Sequence, residues 1–337
     1  MSKYLKYFNE DAEYQQFKDS SEYIEPNVSY VENRNVVYYH PFVVETRVVC
    51  TYNVTDITNA TQLCKYVTGF TSMEIDDVMI DNVTTGYTFN SVGEHTVKFE
   101  LAEPIIIGNA AFQYCYDLTS VVIPDSVTTI GDYAFEGCYD LTSVEIGSGV
   151  TSIGDSAFAD CTRLTGELVI PDSVTSIGNN AFNHCDLLKG ELVIPDSVTY
   201  IGERAFYSCR RLKSVVIGSG VTSIGNAAFQ YCYGLTSVVI PDSVTSIGGS
   251  VFGNCGYLAS VEIGSGVTSI GKNAFSYCEY LTEITSNAVI APTISNYTFQ
   301  YIKTGGVLKV PVGSDYSTWM STSNYYLGKY NWTIEYI

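Results

Sequence analysis

The stretch IPDSVTSIGNNAFNHC, Ile170 to Cys185, recurs almost letter for letter at Ile123 to Cys138, Ile194 to Cys209 and Ile240 to Cys255. Aligned on its phenylalanine, the pattern extends through Phe112, Phe135, Phe158, Phe182, Phe206, Phe229, Phe252, Phe275 and Phe299, in steps of 23 or 24 residues. Eight of these nine are followed by cysteine three positions later. A unit this short cannot bury its own apolar face and has to lie against its neighbours, so the period predicts a stacked solenoid.

Within one unit, Leu118, Val121 and Ile123 have the spacing of a short strand with alternate residues inward. Pro124-Asp125-Ser126 then turns the chain. Other units use Gly147-Ser148-Gly149, Gly218-Ser219-Gly220 or Gly264-Ser265-Gly266, which reach the corner through glycine's conformational freedom. Val127 and Ile130 form a second inward piece. After Gly131, Ala134, Phe135, Cys138 and Leu141 follow one helical face, which predicts about two turns of helix. Leu164–Pro171 and Leu188–Pro195 each carry one extra residue beside Gly166 or Gly190, where a bulge would absorb it.

These units resemble BspA-type leucine-rich repeats, through the signature IPDSVTSIG..AF..C over about Pro104 to Ile284. Such repeats occur in surface proteins of gut and oral Bacteroidetes and of some parasitic protists, and in phage genomes. The resemblance implies a curved solenoid engaged in attachment or binding rather than catalysis.

Cysteines at 115, 138, 161, 185, 209, 232, 255 and 278 stand one per turn. Equivalent positions of adjacent turns lie about 5 Å apart, but parallel side-chain vectors do not give a disulfide its torsion near 90°. A ladder of reduced thiols packed as small hydrophobes is expected, with Ile302 filling the ninth slot. Cys50 and Cys64 are either bridged or two buried thiols. No cysteine or histidine spacing matches a zinc site, and neither a metal nor a cofactor is expected. The acidic cluster Glu74, Asp76, Asp77 and Asp81 reads as a solvated face rather than a calcium loop.

The expected fold is therefore mainly β with short helices: a leucine-rich-repeat solenoid with a cap at each end. Residues 42–103 read as a small immunoglobulin-like β-sandwich whose last strand, with Val97, Phe99 and Leu101 inward, begins the stack. The repeats occupy 104–284. Residues 285–337 hold the last repeat and a β/α cap: a strand at Val307 to Val310, a short helix near Ser314 to Ser321, and Trp319 with the closing strand Trp332 to Ile337 over the last turn. Residues 1–41 read as a helix followed by a hairpin turning at Asn33-Arg34, too small to hold a core alone. A docking or oligomerisation role is expected, with a homo-oligomer as one outcome. This segment resembles the openings of structural proteins from phages of gut Bacteroidales, which implies a virion setting.

The formal charge of -19 disfavours nucleic acid and anionic membranes. No run of about 18 apolar residues is present, so membrane insertion is not expected. MSKYLKYFNEDAEYQQ does not read as a secretory signal. Folding in the cytoplasm is expected first, and a virion or cell-surface location afterwards. Catalytic fingerprints are missing, and three histidines leave little proton-transfer chemistry. With 28 tyrosines, the composition favours contact surfaces. The positions that vary between units flank the Phe and Cys, and the candidate binding residues there are Tyr114, Tyr116, Tyr139, Arg163, Tyr207, Arg210, Arg211, Tyr231, Tyr233, Tyr257, Tyr277 and Tyr280. A tyrosine-rich edge suits a protein or glycan receptor. A strand face bearing Thr119, Ser120, Val122, Thr142, Ser143, Glu145, Lys213 and Glu262 is the rival surface, and a structural decoration protein with no receptor is the rival function.

Overall fold

The computed structural model describes residues 46–337 and two strand segments before them. Those segments, Ser29–Glu32 and Asn35–Tyr38, form an antiparallel ladder in which Glu32 faces Asn35. The helix expected in residues 1–41 lies outside the described residues. The chain divides into two units, Met1–Glu45 and Thr46–Ile337.

In the second unit the coils stack through parallel ladders. One ladder consists of nine two-residue strands, beginning with Ile106–Ile107, Thr129–Ile130 and Ser152–Ile153 and ending with Thr293–Ile294. The other runs through the main strands of the later coils: Lys189–Ile194, Arg211–Ile217, Ser237–Ile240, Ser260–Ile263 and Glu283–Ser286, continued by Val307–Val310 and Thr333–Tyr336, while the main strands of two earlier coils, Leu118–Ile123 and Ser143–Ile146, pair parallel in the amino-terminal sheet. At many positions identical residues stand opposite one another, as Ile224 faces Ile247 and Ser237 faces Ser260, while others differ, as Val239 faces Glu262. The inward letters fill one continuous core that includes all nine phenylalanines of the period.

The extra residue of Leu188–Pro195 is absorbed by a register shift between Gly190 and Glu191, with Gly190 at φ 84°. At the other insertion the main sheet is interrupted, and only the bridges Gly166↔Leu188 and Val169↔Val193 cross it.

The helix expected after Gly131 does not form. Tyr133 and Gly137 have φ of 59° and 69°, in the left-handed region that an α-helix excludes. The N–H groups of Tyr133, Phe135 and Gly137 donate to carbonyls of the following coil, Asp155 (2.8 Å), Ala157 (2.7 Å) and Ala159 (2.8 Å). Those of Ala134, Glu136 and Cys138 close tight turns onto the carbonyls three residues back. Alternate residues thus bond along the stack and within the turn. Three-residue turns bring Ala134, Phe135 and Cys138 inward with nearly helical spacing, which is why the pattern reads as helix. Among the described residues the single helical element is a 3-10 turn at Leu327–Tyr330.

Glycine at the Gly-Ser-Gly corners answers a different need from the one expected. Gly149 is outside the left-handed region, but a Cβ on it would sit 1.9 Å from the Asp125 carbonyl oxygen. Close approach of successive coils, rather than φ, excludes a side chain. Asp125 Oδ1 accepts the Ser148 N–H at 2.7 Å, and Asp196 and Asp242 repeat the bond to Ser219 and Ser265. A further ladder runs through the residue after each Ile-Gly: Asn109, Asp132, Asp155 and Asn179 each accept the backbone N–H of the equivalent residue one coil on, at 2.6 to 3.0 Å.

The phenylalanine rings stack nearly parallel, from Phe112–Phe135 at 5.0 Å to Phe275–Phe299 at 5.9 Å. Both ends of this column close on tilted or edge-on rings. At the amino end Phe70 and Phe99 meet Phe112 at 5.6 and 5.4 Å. At the carboxyl end Trp319 meets Phe299 at 5.4 Å and donates its indole N–H to the Pro292 carbonyl at 2.9 Å.

The amino-terminal part of this unit is an antiparallel sheet in the order Val78–Ile80, Phe70–Ile75, Gly93–Leu101, Arg47–Val54. Val97, Phe99 and Leu101 are buried as expected, but their strand is flanked on both edges and does not begin the stack. Arg47–Val54 does, pairing antiparallel with the first coil's Leu118–Ile123. Besides this sheet there is a two-residue ladder, Thr61–Gln62 with Gly86–Tyr87, which does not by itself make an immunoglobulin-like sandwich. The carboxyl cap has its strands at Val307–Val310 and Thr333–Tyr336, while Ser314 to Ser321 forms turns instead of the expected helix.

Candidate functional site: the tyrosine edge

The cysteines are ruled out as a reactive site by their surroundings. All ten are free and buried, so Cys50 and Cys64 are two thiols rather than a bridge. Burial pushes the thiols well above their ordinary range, Cys138 up to about 12. They are also more than filler. Each Sγ from Cys138 to Cys278 donates to the carbonyl of the preceding coil's phenylalanine at 3.1 to 3.3 Å. In the acidic cluster, Glu74 and Asp77 each bond Lys98 at 2.7 Å and Asp76 bonds His95 at 2.6 Å.

The side chains beside the phenylalanine and cysteine are held out by the turn geometry. The residue two after each phenylalanine has a left-handed backbone, as at Tyr114 (φ 63°), Tyr231 (63°) and Tyr277 (58°). Three aromatic clusters result. At the amino end, Tyr116 and Tyr139 stack at 5.5 Å with planes 5° apart, and Tyr114 adjoins Tyr116 at 6.2 Å. The Tyr114 ring lies over Gly137, where a Cβ would fall 2.4 Å from a ring carbon. Lys65, from the amino-terminal part, brings its ammonium to 5.6 Å from the same ring.

In the middle, Tyr207 packs edge-on against Tyr231 at 5.2 Å, with Tyr233 and His184 beyond. Arg210 leans on Ser208 (3.0 Å) and Asp186 (3.5 Å). Towards the carboxyl end, Tyr257 meets Tyr280 at 5.4 Å and Tyr277 meets Tyr301 at 4.7 Å. The last cluster continues into the cap through Tyr297 and Tyr325, with the Lys329 ammonium 3.4 Å above the Tyr325 ring.

Two candidates stand apart from these clusters. Arg163 is exposed and paired with Asp140 at 2.8 Å. Arg211 opens a main strand, opposite Lys189. Conversely Tyr297, Tyr301 and Tyr325 were not among the expected residues. Tyr297 and Tyr301 flank Phe299 as Tyr133 and Tyr277 flank theirs, so carrying the register one coil further would have found them.

The sequence signature described as a BspA type leucine rich repeat region matches residues 105–236 and 190–305. This chain belongs to the BspA-type leucine-rich repeat family. Among solved structures, this BspA-type chain is similar to a leucine-rich repeat protein from Bacteroides ovatus, at 26% identity and a TM-score of 0.53, covering 74% of this chain and 69% of that one. It is also similar to a leucine rich cell surface protein from Faecalibacterium prausnitzii, at 25% identity and a TM-score of 0.36 over 71% and 84% of the two chains. A leucine rich repeat protein from T. pallidum is 27% identical, with a TM-score of 0.39 over 58% and 82%. No curated protein matches the chain.

Proposed function

We propose that this BspA-type solenoid is a non-catalytic recognition protein that binds a protein or glycan through its tyrosine edge. The observation that carries the reading is the contrast between inside and outside. The coils repeat Phe, Cys, Leu and Ile in the core, while the protruding positions between them differ from coil to coil and gather exposed tyrosine rings into clusters. Tyrosine supplies broad amphipathic contact area at little cost in rotamer entropy, which favours recognition over mere solvation. The proposal extends to a setting on the outside of a cell or of a virion, with residues 1–41 attaching the chain, alone or as an oligomer, to a larger body.

The test is attachment of purified protein to candidate host cells. Replacing Tyr116, Tyr139 and Tyr233 together by alanine is expected to abolish attachment while leaving the melting transition in place. Unchanged attachment by a folded triple variant would favour a structural decoration instead.

A further inference from the structure

Where the amino-terminal part meets the first coil, a cleft of about 520 Å³ opens beside the Tyr116–Tyr139 stack. Its wall on one side carries Gln62, Lys65 and Thr85, and on the other Gln113, Tyr114 and Tyr116. We infer that this cleft is a saccharide subsite that takes the end of a neutral oligosaccharide, with a pyranose ring laid on Tyr116; the inference rests on the recognition reading above and names its ligand class.

Three features favour such an occupant. The Tyr116 and Tyr139 rings are about half exposed, at 52% and 45%, and stack in parallel planes. The stack leaves the exposed part of the Tyr116 ring as a π surface for the C–H face of a sugar ring. Lys65 apart, the surrounding polar side chains are hydroxyl and amide in kind, which can donate to and accept from sugar hydroxyls.

The third feature is how the lone cation of the cleft wall is held. The Lys65 ammonium donates to the Gln113 side-chain oxygen, and Gln113 in turn donates to Glu136. The Lys65 backbone N–H donates to the Ala111 carbonyl at 2.7 Å, and Gln62 donates to the Gln113 carbonyl at 3.3 Å. The wall is thereby tied to the coil, and the Lys65 ammonium is engaged by Gln113. The formal charge of -19 disfavours sialylated or sulfated chains. Gly137 leaves room for the Tyr114 ring of that wall.

The experiment is an array of immobilised neutral, sialylated and sulfated oligosaccharides probed with the full chain and its variants. The wild type is expected to retain neutral oligosaccharides, Tyr116→Ala to lose roughly tenfold or more in affinity, and Tyr116→Phe to keep most of it. Val312→Ala, exposed in the carboxyl cap, is expected to leave the array signal unchanged. Retention of acidic chains alone, of no saccharide, or equal loss in Val312→Ala would each overturn the assignment. Cell attachment separates this from failure of the broader reading. If Tyr231→Ala abolishes attachment while the array stays blank, the saccharide subsite falls and the edge stands. If no tyrosine variant changes attachment, both fall.

Discussion

Cys185 donates its thiol hydrogen to the carbonyl oxygen of Phe158, one coil back, with 3.2 Å between sulfur and oxygen. The same carbonyl closes its own turn by accepting the Cys161 N–H at 3.4 Å. The thiol column is thus a second seam of hydrogen bonds between coils. Cys185→Ala removes both the donor and a buried sulfur, and is expected to lower stability by about 1–2 kcal/mol. Urea denaturation measures it.

The thiols also set an alkaline limit. Burial holds Cys64 and Cys138 protonated up to about 12 in the folded chain, against 9.0 for a free thiol. Above pH 9 the unfolded chain releases these protons and the folded chain keeps them. Their contribution is therefore intact below about pH 9 and declines as the pH climbs towards 12. The urea midpoint is expected to be level between pH 7 and 8.5 and to fall at pH 10 and above. A thiol reagent at pH 8 should find no reactive cysteine until urea is added.

Two glycines differ sharply in what surrounds them. Gly149→Ala drives a methyl group into the Asp125 carbonyl, 1.9 Å from where the carbon would stand, and is expected to cost more than about 2 kcal/mol. Gly256 has nothing within 4 Å and no left-handed backbone. Gly256→Ala is expected to be neutral or stabilising by up to about 1 kcal/mol. Melting temperatures of the pair check both.

Asp155 accepts the Asn179 N–H at 2.6 Å, and its own N–H donates to Asp132. Asp155→Ala leaves the Asn179 amide without that acceptor and is expected to destabilise by about 1 kcal/mol, with Asp155→Asn restoring most of it. Hydrogen exchange at the Asn179 amide should accelerate in the alanine variant alone.

Trp319 closes the phenylalanine column. Trp319→Ala is expected to cost about 3–5 kcal/mol. Because each coil rests on the next, the loss should appear first as protease sensitivity in the coils around Phe275 and Phe299, before the amino end opens.

Much of this architecture is written in repetition. The Phe and Cys period placed the core, the added residue beside Gly190 marked its bulge, and the inward Val97, Phe99 and Leu101 were legible from alternation. The turns were not, because Ala134, Phe135 and Cys138 recur at intervals that a helix and a run of tight turns share. Their left-handed positions fall on Tyr133 and Tyr114, residue types that do not announce them. The ladder through Asn109, Asp132, Asp155 and Asn179 was hidden for another reason: polar letters at a corner look like solvated surface until the next coil is seen to donate to them. For the candidate site, the tyrosines themselves were readable. Their division into three groups, and the part played by Lys65 and Gly137, depended on neighbours distant in the chain.

The Gly-Ser-Gly corners lean on the Pro-Asp-Ser corners before them, with Gly147 and Gly149 pressed against Pro124 and Asp125. Each such corner in the array directly follows a Pro-Asp-Ser coil. A gene that lengthens or shortens the array by recombination is therefore constrained in its grammar: coils can be added or dropped, provided no glycine corner is left without an aspartate upstream to receive it.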